Sequence, residues 1–156
     1  MTGTAVSALP AYRCTVQPDW IDYNGHMSEA FYVLVFGFAT DQVMDRLGMG
    51  QAYRAAAGSS LYTVEAHVRY LAETGLGTEL TVTTRIVGAG AKKLHLAHEM
   101  RTGEQVIATE ELLALHVDQN SGRSTPFPVP VLDSISRFRT GLEGEAPDWI
   151  GRKVTS

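Results

Sequence analysis

Phe31-Tyr32-Val33-Leu34-Val35-Phe36-Gly37-Phe38-Ala39-Thr40-Asp41-Gln42-Val43-Met44-Asp45-Arg46-Leu47 is the stretch on which the fold turns. Phe31, Leu34, Val35, Phe38, Val43, Met44 and Leu47 are apolar positions along a helix, and Tyr32, Val33 and Phe36 put apolar groups on its other faces. A helix that is apolar all round is a buried helix. Ser28 stands where an N-cap is wanted, so the helix is predicted to begin near Glu29. Gly48-Met49-Gly50 ends it.

Upstream, residues 11–17 read as a strand that Pro18 closes, followed by a turn over 19–25. Downstream, residues 51–57 read as a short helix before Gly58. Tyr62, Val64, Ala66, Val68 and Tyr70 then alternate with Thr63, Glu65, His67 and Arg69, the period of a strand, within 61–71. The same reasoning predicts strands over 79–87, 91–101 and 106–118, separated by Gly88-Ala89-Gly90 and Thr102-Gly103-Glu104. Asn120-Ser121-Gly122 is a turn, Pro126, Pro128 and Pro130 forbid another central strand, and 131–139 reads as a short helix. Residues 1–10 are expected to be a loose arm and 142–156 a peripheral tail, leaving one domain over 11–141. Strand, long buried helix, then a meander of four strands, each pairing antiparallel with the next, predicts an α+β fold in which an antiparallel sheet wraps a central helix. One such layer leaves sheet edges and apolar surface uncovered, so at least a homodimer, dimer or tetramer, is expected.

The chain has 156 residues, 44% of them apolar and 19% charged, with a net charge of −4. That balance suits one core and gives no reason to expect nucleic acid or an anionic membrane as partner. Arg69, Lys92, Lys93, Arg101 and Arg123 could still meet a phosphorylated ligand. Cys14 is the one cysteine, which fits a reducing compartment and a small packed side chain. The first ten residues lack the features of a secretory signal, and no apolar run is long enough to span a bilayer, so a cytoplasmic protein is expected.

Just before the helix lies Pro18-Asp19-Trp20-Ile21-Asp22-Tyr23-Asn24-Gly25-His26-Met27. A helix start exposes N–H groups without intrahelical partners, and its dipole favours an oxygen gaining negative charge. Asp22 and the amides of Gly25, His26 and Met27 could therefore serve one carbonyl, the carboxylate attacking and the amides holding the oxyanion. The competing reading gives Asp22 the task of capping the Tyr23-Asn24-Gly25 turn. His26 is equally a base or a brace for that turn. Glu65 shares a strand face with His67 and is either a second site carboxylate or part of a solvated face. His95 and His98 on a strand point to opposite faces, so no metal site is expected.

These residues carry a resemblance. Asp22-Tyr23-Asn24-Gly25-His26-Met27, the buried helix, then Tyr70 and Gly77, resemble the 4-hydroxybenzoyl-CoA thioesterase branch of the hotdog superfamily, from about residue 11 to residue 130. A narrower similarity, to betainyl-CoA thioesterases of carnitine breakdown, rests on Val64 to Glu73, Lys93 to Met100, Ala108 to Glu111, His116 to Asp118 and Gly122 to Pro128. The resemblance implies a hotdog dimer or tetramer that cleaves acyl-CoA to acid and CoA, with its site at the subunit boundary. It implies Asp22 as the catalytic carboxylate, either nucleophile or general base. CoA would be part of the substrate, and no cofactor is expected. Trp20, Tyr23, Phe31, Tyr53 and Tyr62 become candidates for the acyl pocket, since a quaternary ammonium binds aromatic faces, and Asn24, on the turn beside Tyr23, is a further candidate for binding the substrate. Arg123 becomes a candidate for a CoA phosphate. Two other readings are a hotdog hydratase or dehydratase acting on an enoyl-CoA, and a non-catalytic acyl-CoA binding protein.

Overall fold

The apolar run forms a single helix, α1 (Glu29–Arg46), and the chain before and after it builds the sheet that receives it. The computed structural model describes residues 8–140 and 146–155. In chain order, β1 (Tyr12–Thr15) precedes α1. Then follow α2 (Gln51–Ala57), β2 (Ser59–Tyr70), β3 (Glu79–Ala89), β4 (Lys93–Thr102), β5 (Gln105–Asp118), β6 (Arg123–Ser124) and α3 (Val129–Thr140). A short 3-10 turn, Pro18–Trp20, joins β1 to the segment before α1.

The sheet runs β1-β3-β4-β5-β2, every pair antiparallel, with β6 added to β5. This is the expected α+β hotdog arrangement. One neighbour differs from the expectation. β2 does not pair with β3; it pairs with β5 at the opposite edge. The link between them crosses beneath the start of α1. Leu71 and Ala72 donate to the Ile107 carbonyl, Thr74 accepts from the Met27 amide, and Thr78 accepts from the Val16 amide. Those bonds carry the chain across the sheet to the β1 side before β3 begins.

Alternation decides which face each strand presents to α1. On β4 the inward series is Leu94, Leu96, His98 and Met100; on β5 it is Ala108, Glu110, Leu112, Ala114 and His116. Two apolar clusters result. One, around Leu47, Leu94, Leu96 and Leu112, is closed by Phe127, Val131, Ile135 and Phe138. The other, around Val35, Phe36, Leu80, Val82, Met100 and Ile107, lies under the first half of α1. A fully buried side chain of this size contributes about 1.5–3 kcal/mol.

Within one chain α1 is buried on one side only. Tyr32, Val35, Phe36, Ala39, Thr40, Val43 and Met44 face inward. Val33, Leu34 and Phe38 stay 37–44% exposed on the outward side, with Gly37 between them. Edge strand β2 is also open, Val64 being 53% exposed. Ser28 occupies the N-cap position, but its side chain makes no capping bond; its carbonyl accepts from the Phe31 amide instead. Leu9, expected in a loose arm, is buried in the first cluster, and Gln42 holds the Pro10 carbonyl at 3.1 Å. The Gly151 amide donates to Glu111 at 2.7 Å, so residues near 151 lie against the outer face of the sheet. The expected domain end at 141 lies outside the described residues. Among the described residues no helix is long and apolar enough to cross a membrane.

Candidate active site

The segment before α1 is a closed turn. Asp22 and His26 bond through Asp22 N–H to His26 C=O at 3.0 Å, and the Ser28 amide donates to Trp20 at 2.9 Å. Ile21 and Met27 are thereby paired as an isolated bridge. Gly25 has φ +80°, a left-handed conformation that a side chain resists. Asp22 Oδ1 accepts from the Asn24 amide at 2.8 Å, so the carboxylate does cap the turn. A carboxylate has several acceptor positions, and one such bond leaves the rest available.

The expected oxyanion amides divide. Gly25 N–H is taken by the Asp22 carbonyl at 3.0 Å and Met27 N–H by Thr74 at 2.8 Å. Those two cannot hold a substrate oxygen without breaking a bond of the fold. His26 N–H, with Glu29 N–H and Ala30 N–H in the first turn of α1, has no acceptor among the described residues. The amides left unengaged thus lie toward the helix itself. The His26 ring stands 3.3 Å from Glu73 in an exposed pair, which favours the bracing reading of its side chain.

The other sequence candidates fall into two groups. Trp20 stacks on Phe31 at 5.8 Å with 14° between rings, both half-buried beside the helix start. Tyr23 is 98% exposed and Asn24 exposed on the same turn. Tyr62, Arg123 and Glu65 lie elsewhere. Tyr62 takes a bond from Gln119 at 3.1 Å and is paired with Leu115, toward the far end of the sheet. At about 3.3 Å per residue, eight residues of β2 separate it from Tyr70 by roughly 26 Å. Arg123 is exposed on β6 beside Asp118, at the same far end. Glu65 pairs with Leu113 on the face turned away from α1, next to a bulge at Thr63/Glu65. Within one chain these three do not converge on Asp22.

A group gathers at the helix start in which sequence reasoning singles out Met27 as a site residue and Tyr70 for the resemblance, but not the rest. A cleft of about 310 Å³ is lined by Met27, Glu29, Tyr32, Tyr70, Leu71, Ala72 and Glu73. Tyr32 and Tyr70 meet edge to face at 5.2 Å, and their hydroxyls donate to Ala72 and Glu29 carbonyls at 3.1 and 3.3 Å. Burial raises both phenol pKa values. Negative charge on Glu73 adds to the effect at Tyr32, and that on Glu29 and Glu110 at Tyr70. Glu110, 5% exposed on the inward face of β5, has its carboxyl pushed up to about 7 by burial. Its neighbour across the ladder, His98, is fully buried and held neutral, its pKa lowered to about 3 by burial. Thr40 gives its hydroxyl proton to Phe36 C=O, so it accepts from His98 Nε2–H at 2.9 Å, and Thr84 donates to Nδ1 at 2.7 Å. His95 points the other way, to Glu111 at 2.8 Å. His116 is held between Tyr53 and the Thr125 carbonyl, a structural role.

Comparison with known proteins gives this geometry its family. The thioesterase-like superfamily model matches residues 16–135. The chain belongs to the thioesterase-like superfamily. It is 36% identical over 149 residues to a betainyl-CoA thioesterase of Pseudomonas aeruginosa, covering 94% of each. It is 40% identical over 147 residues to an L-carnitine dehydrogenase/betainyl-CoA thioesterase of Agrobacterium fabrum, of which it spans 30%. A Staphylococcus aureus protein solved in complex with CoA superposes with TM-score 0.92 at 26% identity, over 99% of both chains.

Proposed function

We propose that this protein hydrolyses betainyl-CoA to betaine and CoA, with Asp22 as the catalytic carboxylate. Thioester hydrolysis follows from its family. The betainyl group is supported by one observation above all: near-full-length similarity to a protein of that activity, in a chain whose helix start is ringed by aromatic and acidic side chains. A trimethylammonium group is attracted to ring faces and to negative charge.

The chemistry asks little of the protein. A thiolate leaves readily, so no strong general acid is required. Asp22 attacks the carbonyl directly, giving an anhydride that water opens, or it removes a proton from the attacking water. The unengaged amides of His26, Glu29 and Ala30 would receive the oxyanion, and removing one well-placed donor costs about 3 kcal/mol. The proposal includes a homodimer or homotetramer. A second copy against β2 and the outward side of α1 would cover Val33, Leu34 and Phe38, and could bring Tyr62, Glu65 and Arg123 toward the opposite helix start.

The test is release of free thiol from betainyl, short aliphatic, hydroxyacyl and aromatic CoA esters by wild type and Asp22→Asn. The expected result is preference for betainyl-CoA and a loss of about 10²- to 10⁴-fold in kcat for the variant. Equal rates for the two proteins would remove Asp22 from the mechanism; no preference for the cationic ester would remove betaine from the proposal.

A further inference from the structure

We infer that Glu110 is the counter-charge for the cationic head of the acyl group and sets the enzyme's preference for a quaternary ammonium ester. The inference rests on the betainyl reading above and goes beyond it by naming the discriminating residue.

A buried carboxylate without a partner is costly, and proteins keep few of them. Glu110 is 5% exposed and makes no hydrogen bond or ion pair with any described residue. Among the described residues no side-chain oxygen is both sealed from solvent and unsatisfied. The Glu110 oxygens therefore open onto the small surface that the residue retains. Glu110 is not among the residues lining the cleft at the helix start, and its place in the ladder sets it beside that lining. Glu110 is paired with His98 on β4 and Val68 on β2, on the face turned to α1. Tyr70 follows Val68 on the same face of β2, diagonal to Glu110, and lines the cleft at the helix start.

The surroundings select the kind of ligand. No N–H or O–H is aimed at Glu110, so a neutral hydrogen-bonding group of the protein is not what it serves. The nearby aromatic pair, Tyr32 and Tyr70, offers ring surface, and Glu29 and Glu73 add negative charge at the rim. A quaternary ammonium has no N–H to donate. What holds it is charge and ring surface together, the two things supplied here. His98, the nearest basic group, is neutral and already bonded on both nitrogens, so it does not satisfy Glu110.

The groups facing Glu110 from neighbouring elements are His98 on β4, Val68 and Tyr70 on β2, and Thr40, Tyr32 and Glu29 on α1, with Glu73 beyond β2. Burial holds the Glu110 carboxyl near pH 7. A bound cation favours its ionised form, so discrimination for the cation should grow as pH rises through that range.

The experiment compares betainyl-CoA with 3,3-dimethylbutanoyl-CoA, which has carbon in place of the charged nitrogen, using intact wild type and Glu110→Gln. The ratio of kcat/KM for the two esters should fall roughly 10- to 100-fold in the variant, carried mainly by KM for the cation and by a rise for the neutral ester. The wild-type ratio should climb between pH 6 and pH 8, about the value near 7, and the variant's should stay flat. Glu110→Asp, which keeps the charge on a shorter stem, should retain part of the preference and guards against a folding artefact. If wild type prefers betainyl-CoA and Glu110→Gln keeps that preference, the role of Glu110 is overturned while the betainyl reading stands. If both esters lose equally in the variant, Glu110 is structural and the inference again fails. If wild type itself shows no preference, both readings fall.

Discussion

His98 and Glu110 face each other across β4 and β5 on the same side of the sheet, at nearly the same depth, and the protein treats them oppositely. Around His98 every polar atom is matched: Thr40, Thr84 and the Phe36 carbonyl close a chain of bonds, and the Phe36 ring stacks on the imidazole at 5.8 Å. Around Glu110 nothing is matched, and the neighbouring wall, Val68 and Tyr70, is only partly covered. Burial disfavours the charged form of both groups, but one is finished by the chain and the other is left for something outside it. A satisfied buried polar group specifies the core, whereas an unsatisfied one at an opening marks a binding surface.

The comparison can be broken first by packing. Phe36→Ala should destabilise the fold by about 3–5 kcal/mol, read by chemical denaturation, while Val68→Ala on the open side should cost markedly less. Similar losses would mean that the two sides are equally closed. Second comes the alkaline limb. The Glu110 carboxyl titrates near 7 in the fold against 4.5 ordinarily, so the fold binds the proton more tightly. Stability from this group is complete below 4.5 and lost as pH rises through 7, a total of about 3 kcal/mol. Glu110→Gln, aligned with wild type at pH 4, should therefore be the more stable protein at pH 8.

The third is finer. His98 titrates near 3 in the fold against 6.5 ordinarily, so its contribution is complete above 6.5 and falls as the solution is acidified. Between 4.5 and 6.5 the two groups act with opposite sign, each by about 1.4 kcal/mol per pH unit. Their contributions to wild type should cancel there, and Glu110→Gln should expose the histidine slope. The smallest effect belongs to Tyr70→Phe, which removes a long, exposed hydroxyl contact and should change stability by less than about 1 kcal/mol while preserving the ring.

The strands were legible because alternation is local. β3, β4 and β5 begin and end within two residues of the predicted bounds, and α2 matches its predicted span. The partner of β2 was not legible, since the same alternating strand satisfies either edge of the sheet, and bonds from Leu71 to Thr78 decide the matter. The turn at Asp22 was read for its residues but not for its acceptors: Met27 is taken by Thr74, far along the chain. Glu110 was hidden for another reason. A glutamate on a strand reads as an outward residue, and only its parity with Ala108 and Leu112 on β5 signals that it faces in.

Gly37 lies halfway along α1 on its outward side, with nothing within 4 Å of where a Cβ would stand. Glycine inside a helix costs about 0.5–1 kcal/mol relative to alanine, and no contact with the described residues offsets it. The helix is therefore narrowest at its waist, and the proposed second copy could lay its own backbone into that notch. An alanine there would strengthen the solitary fold and, in the proposed assembly, wedge two copies apart, so folding and that assembly would pull this one position in opposite directions.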